Sequence, residues 1–149
     1  MFELNLPKFE ANIRNVGDHR EIFDPLRRRF VALTAEEWVR QHFVNYLCNH
    51  LGYPRGLMAN EVQLRLGQVA RRADTVVYRR DLTVLMIVEY KAPTVAVSQK
   101  VFDQIVNYSR VLHAGYLAVS NGLQHYCLQA GEGGEFVFME AFPDYRSLI

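Results

Sequence analysis

Arg71-Arg72-Ala73-Asp74-Thr75-Val76-Val77-Tyr78, followed by Leu82-Thr83-Val84-Leu85-Met86-Ile87-Val88-Glu89-Tyr90-Lys91-Ala92-Pro93, decides how this chain is read. From Ala73 the first run is rich in β-branched residues and stops at Arg79-Arg80-Asp81, a turn sequence. The second run is apolar almost to its end, as expected of a central strand covered on both faces, and Ala92-Pro93 breaks it. Side chains alternate along a strand, so Glu89 and Lys91 share one face and Tyr90 takes the other. A hairpin through Arg79-Arg80-Asp81 brings Asp74 opposite Glu89 or Lys91, with the turn setting the register.

Asp74, Glu89 and Lys91 are therefore the residues to follow. Two carboxylates held together suit a hard cation such as Mg²⁺ or Mn²⁺, which prefers oxygen ligands and retains waters. A lysine beside them stabilises negative charge developing on a phosphate or helps activate a water. The bland alternative is a strand emerging into solvent, with Glu89 and Lys91 as a surface ion pair of little energetic weight.

Outward from the two runs, Glu61-Val62-Gln63-Leu64-Arg65-Leu66 alternates polar and apolar residues, predicting a preceding strand that Gly67 ends. Before it, Thr34-Ala35-Glu36-Glu37 has the form of a capping box opening a helix. Val39, Phe43, Tyr46 and Leu47 line one helical face, and the helix should stop near Gly52. Beyond Pro93, residues 98–113 read as a second helix with Val101, Ile105, Tyr108 and Leu112 in one stripe. Tyr116-Leu117-Ala118-Val119-Ser120 is a strand closed by Asn121-Gly122, and shorter strands are expected near 125–128 and 135–138. The first 25 or so residues read as a loosely structured arm or a short helix. The expected architecture is α/β, a mixed sheet flanked by helices.

The 149 residues are half apolar and 12% aromatic, which fits one globular unit with a real core. No apolar run reaches the roughly 20 residues of a membrane span, and no leader pattern opens the chain, so no membrane role and a cytoplasmic location are expected. Cys48 and Cys127 read as two thiols rather than zinc ligands. Net charge is only +1. Arginines cluster locally, however, and Arg71, Arg72, Arg79 and Arg80 bracket the Asp74 strand as a basic rim.

The same stretch resembles a known family. Residues 71–78 and 88–93 look like the N-terminal nuclease domain of type I restriction enzyme R (restriction) subunits, a PD-(D/E)xK nuclease. The resemblance continues in Leu33-Thr34-Ala35-Glu36-Glu37-Trp38-Val39-Arg40-Gln41, in Phe102-Asp103-Gln104-Ile105-Val106-Asn107-Tyr108 and in Ser120-Asn121-Gly122-Leu123-Gln124-His125-Tyr126. It implies a restriction-endonuclease-like core acting as a Mg²⁺- or Mn²⁺-dependent deoxyribonuclease. Asp74 and Glu89 would be the metal-binding carboxylates, and Lys91 the catalytic lysine. Gln104 and Tyr108 match a QxxxY element, in which the Gln amide contacts a phosphate or the lysine with the tyrosine in support. As side chains alone they are equally a helix-surface residue and a core aromatic.

Glu37 is a further metal-ligand candidate, though helix capping accounts for it as well, and Glu61 is a weaker one. Arg71 and Arg72 are candidate substrate contacts. Residues 1–26 would be an arm and 27–149 the core of a single nuclease-like domain. R subunits carry a helicase-like motor, yet this chain has no GxxxxGK(S/T) loop. It is therefore read as a stand-alone relative or a subunit that borrows other parts. DNA, held weakly by this chain alone, a second copy, and restriction-system subunits are the expected partners. The competing reading is a nuclease-fold module that binds nucleic acid or a protein without cleaving.

Overall fold

A computed structural model describes residues 2–149, apart from the side chains of Leu66 and Val69. Two sheets and two helices make up the chain. Strands β1 (Ile13–Val16), β2 (His19–Asp24) and β3 (Arg29–Ala32) form a three-stranded antiparallel sheet. Helix α1 (Ala35–Asn49) follows. Then come β4 (Met58–Leu66), β5 (Val69–Tyr78), β6 (Val84–Tyr90), α2 (Gln99–Val111), β7 (Tyr116–Ser120), β8 (His125–Ala130) and β9 (Phe136–Phe138). These six strands form the second sheet in the order β4-β5-β6-β7-β8-β9. Only β6 and β7 pair in parallel, and α2 is the crossover that parallel pairing requires.

The sheet is covered on both sides. Val39, Phe43, Val44 and Leu47 of α1 pack with Val77, Met86, Val88 and Tyr90 on one face. Phe102, Ile105 and Tyr108 of α2 pack with Val76, Ile87, Leu117 and Val119 on the other. Leu85 to Val88 are all buried, which is why β6 reads as an unbroken apolar run. Thr34 caps α1 by accepting from Glu37 N at 3.0 Å, and Ser98 accepts from Val101 N at the start of α2. Among the described residues no helix is long and apolar enough to cross a membrane.

The reading of residues 1–26 as a loose arm or short helix is overturned, because this stretch supplies β1 and β2. Gly17-Asp18 is a two-residue turn between Val16 and His19, with Gly17 at φ +60 where a Cβ would be strained. Ile22 and Asp24 are fully buried, and Arg14 pairs with Glu21 at 2.7 Å across the hairpin. A boundary at 26/27 would cut the β2–β3 hairpin. Upstream of β1, Trp38 Nε1 donates to the Phe2 carbonyl at 2.8 Å, and Asn5 N donates to the Gly122 carbonyl at 2.8 Å.

Strand limits shift too. Leu82 is exposed at φ 68, and the Asp81 carboxylate accepts from both Thr83 N and the Thr83 hydroxyl, so β6 begins only at Val84. Strand β5 starts at Val69, four residues before the expected Ala73. Both cysteines are free thiols, and Cys127 is buried.

Candidate active site

The β5–β6 hairpin sets the register. Thr75 pairs with Val88 and Val76 with Ile87, so the next step along the ladder places Asp74 opposite Glu89. There the pairing stops, and Asp74 Oδ2 takes over as acceptor for the Tyr90 N–H at 2.8 Å. Alternation puts Asp74, Glu89 and Lys91 on the α2 face, while Tyr90 packs against α1 with its ring 5.8 Å from that of Phe43.

The hairpin register sets the Glu89 and Asp74 carboxyl groups against each other. Burial of the Glu89 carboxyl pushes its pKa up, and the adjacent Asp74 charge and hydrogen bond add to this, to about 9. The positive charges of Arg71 and Lys91 act against that rise. At neutral pH the pair therefore shares a proton. A divalent cation held between the two carboxylates would replace that proton, so this donor set fits a hard, oxygen-seeking metal. Lys91 is half-buried, and its backbone N–H donates to the Ser120 carbonyl at 2.9 Å.

Helix α2 closes the site. The Tyr108 hydroxyl donates to the Arg71 carbonyl at 3.2 Å, and the Arg71 guanidinium lies 4.8 Å above the Tyr108 ring. Burial, first, and the nearby Glu89 charge raise the Tyr108 pKa. Tyr108 is thus a core aromatic whose hydroxyl reaches the edge of the site. Gln104, one turn earlier, is exposed.

Three expected contributors, Glu37, Arg79 and Arg80, lie elsewhere. Glu37 is buried on α1, where its carboxylate accepts from Arg27 Nη2 at 2.6 Å and from Gln41 Nε2 at 2.8 Å, with Arg40 Nε at 3.2 Å. Buried guanidinium groups need counter-charges, and this demand claims Glu37. Only half of the capping box forms, since Thr34 N donates to the Ala32 carbonyl. Among the described residues no group of three or more His, Cys, Asp or Glu side chains is placed to hold a metal ion. Asp74 and Glu89 stand as a pair. Arg79 and Arg80 follow the far end of β5, five and six residues from Asp74 and so roughly 17–20 Å away. They do not join Arg71 and Arg72 in a rim.

One residue that the sequence reading passed over lies behind the pair. Arg40 of α1 is buried, donates through Nη1 to the Asp74 carbonyl and through Nη2 to Glu61, and sits 5.7 Å from the Tyr90 ring. Behind it runs a buried chain from the Tyr90 hydroxyl to Thr75 Oγ1 (2.9 Å), from Thr75 to Asn60 Oδ1 (2.6 Å), and from Asn60 Nδ2 to Asp24 (2.9 Å). Burial alone would raise the Asp24 pKa, but hydrogen bonds from Arg27, Asn60 and Leu26 N outweigh it and hold the carboxyl below its usual range. The available signal was the Glu37-x-x-Arg40-Gln41 spacing, which puts a cation and an amide on the same helical side as the glutamate.

The family model for the type I restriction enzyme R protein N terminus matches residues 35–143, from the start of α1 to Pro143. The chain belongs to this family. Among solved structures, this chain is similar to a fragment of a putative HsdR subunit of a type I restriction enzyme from Vibrio vulnificus YJ016. The TM-score is 0.54 at 21% identity, over 78% of this chain and 24% of that one. That likeness concerns the fold, and the chain spans about a quarter of the Vibrio chain's length. No curated relative matches it in sequence.

Proposed function

We propose that this R-protein domain is a metal-dependent deoxyribonuclease with a PD-(D/E)xK core, hydrolysing DNA phosphodiester bonds within a restriction system. The observation that carries the reading is the Asp74–Glu89 pair, opposed across the β5–β6 hairpin, with burial and the Asp74 charge holding the Glu89 carboxyl well above its usual range. Two carboxylates forced together for stability alone would be a poor solution, since their mutual repulsion raises the free energy of the ionised site. In the family resemblance these same positions are the metal-binding residues.

Asp74 and Glu89 would hold Mg²⁺ or Mn²⁺, with the Tyr90 carbonyl as a further oxygen donor. When bound, such an ion supplies Lewis-acid polarisation of the phosphoryl oxygen and favours deprotonation of an attacking water. Lys91, two residues past Glu89 on the same face, offsets negative charge gathering on the phosphoryl oxygens. Arg71, stacked on Tyr108, presents a cation beside the pair for a neighbouring phosphate. Gln104, exposed on α2, is free to hydrogen-bond the same backbone.

The deciding experiment is calorimetric titration of Mn²⁺ into wild type and Asp74→Ala, paired with metal-dependent nicking of plasmid DNA. Wild type should bind one ion and nick, and the variant should do neither. Equal ion binding by both proteins refutes the assignment. Ion binding without nicking of DNA at any metal concentration favours the binding-module reading, in which the pair survives without turnover.

A further inference from the structure

Past Asp74 the second sheet narrows to two strands. Strand β5 pairs with β6 only over Thr75–Tyr78, whereas the β4–β5 ladder runs on through Val62–Ala73, Gln63–Arg72, Leu64–Arg71 and Arg65–Ala70 to Leu66–Val69. These five register pairs form a ribbon roughly 17 Å long, closed by Gly67-Gln68 with Gly67 at φ +59. At its base the ladder is interrupted at Glu61 (φ 56), opposite Asp74.

The two faces of the ribbon differ. Ala73 is fully buried, Val62 and Leu64 pack on the α2 side of the core, and Tyr108 pins the Arg71 carbonyl. On the other face Gln63, Arg65, Ala70 and Arg72 are all exposed. Residues 62–73 contain Arg65, Arg71 and Arg72 and no acid, in a chain of net charge +1. Glu61, at the base of the ribbon, is occupied by Arg40, with Arg72 Nε 3.8 Å away.

We infer that this ribbon lies in the major groove of duplex DNA next to the Asp74–Glu89 pair, with Arg65 and Arg72 on the phosphates that flank the groove and Gln63 and Gln68 toward base edges. The proposal rests on the nuclease reading for its choice of partner. Two paired strands with their side chains fit a groove about 12 Å wide, whereas the minor groove, about 6 Å wide, excludes them. The deep, narrow major groove of an RNA duplex excludes them as well. A single strand would call for aromatic stacking platforms, and the exposed face carries none. Asp74 directly follows the last ribbon residue, so a phosphate held at the pair belongs to the backbone bordering the groove that the ribbon fills. Glutamine amides can donate to and accept from base edges there.

The test is fluorescence anisotropy with a labelled 25-base-pair duplex, without divalent cation, across a salt series. Wild type is compared with Arg65→Gln/Arg72→Gln, Gln63→Ala/Gln68→Ala and Asp74→Ala, with thermal melts to check folding. Removing two phosphate contacts should lower the salt slope by about 1.8, so between 50 and 200 mM salt wild type should lose about 12-fold more affinity than the arginine variant. Gln63→Ala/Gln68→Ala removes no charge and should keep the wild-type slope, and methylation of guanine N7 should weaken wild-type binding. Charge reversal by Arg65→Glu alone should lower affinity more than Arg65→Gln alone. An unchanged slope in the arginine variant, while cleavage still depends on Asp74, overturns the ribbon assignment and leaves the nuclease reading intact. A slope that falls as expected in a protein that cleaves nothing supports the ribbon and refutes the nuclease. Equal affinity for duplex RNA or single-stranded DNA overturns the groove.

Discussion

Glu89→Gln isolates the shared proton of the carboxylate pair. In the folded protein the Glu89 carboxyl titrates near 9, against about 4.5 for a free glutamate. A folded-state pKa above the unfolded value means that Glu89 contributes its full stability below about pH 4.5 and loses it as pH rises toward 9. Through that window the unfolded chain has released the proton and the folded one has kept it, so stability falls by about 1.4 kcal/mol per pH unit. From pH 6 to pH 8 this is on the order of 3 kcal/mol, or about 6–12 °C in Tm for a chain of this length. Glutamine mimics the protonated acid and does not titrate. Melts of both proteins in EDTA between pH 5 and pH 9 should therefore diverge, with the variant the more stable at pH 8. Histidine contributions are common to both and cancel in the difference. Saturating Mn²⁺ should close the gap at pH 8 by replacing the proton in wild type. Parallel Tm curves in EDTA would refute the shared-proton account of the site.

Lys91→Ala should lower cleavage of DNA by orders of magnitude in single-turnover assays while changing stability by about 1 kcal/mol or less, because the side chain reaches solvent from a strand end. Arg40→Ala leaves Glu37 and Glu61 facing a buried gap and the Asp74 carbonyl without its donor, so chemical denaturation should show a loss of about 3–5 kcal/mol. Gln104→Ala, an exposed helix position, should leave denaturation midpoints within about 0.5 kcal/mol of wild type, and a fall in cleavage at subsaturating DNA would mark it as a substrate contact.

Much of the site was legible because its signals are short-range. The apolar run before Glu89, the break at Ala92-Pro93 and the period of two along a strand place Glu89 and Lys91 on one face without reference to any other element. Thr34 and Ser98 announce their helices through hydroxyls that reach backbone N–H groups three residues on. The missed strands β1 and β2 also carried a cue in Gly17-Asp18. They are so polar, with Arg14, Asn15, His19 and Arg20 all exposed, that composition concealed a sheet that buries Ile22 and Asp24. The ribbon was half seen, since β4 alternates visibly while Arg71 and Arg72 disguise the start of β5.

The sequence alone determined that two carboxylates and a lysine belong to neighbouring strands, with Glu89 and Lys91 on one face, because strand propensity and alternation are properties of consecutive residues. The tertiary structure alone decided which atoms meet. The hairpin register set Asp74 opposite Glu89, and the need of half-buried Arg27 and buried Arg40 for counter-charges drew Glu37 away from the pair. The length of β5 carried Arg79 and Arg80 to the far end of the sheet. Register, desolvation and ion pairing are settled between elements distant in the chain, where the energy of a charge depends on what the fold brings beside it.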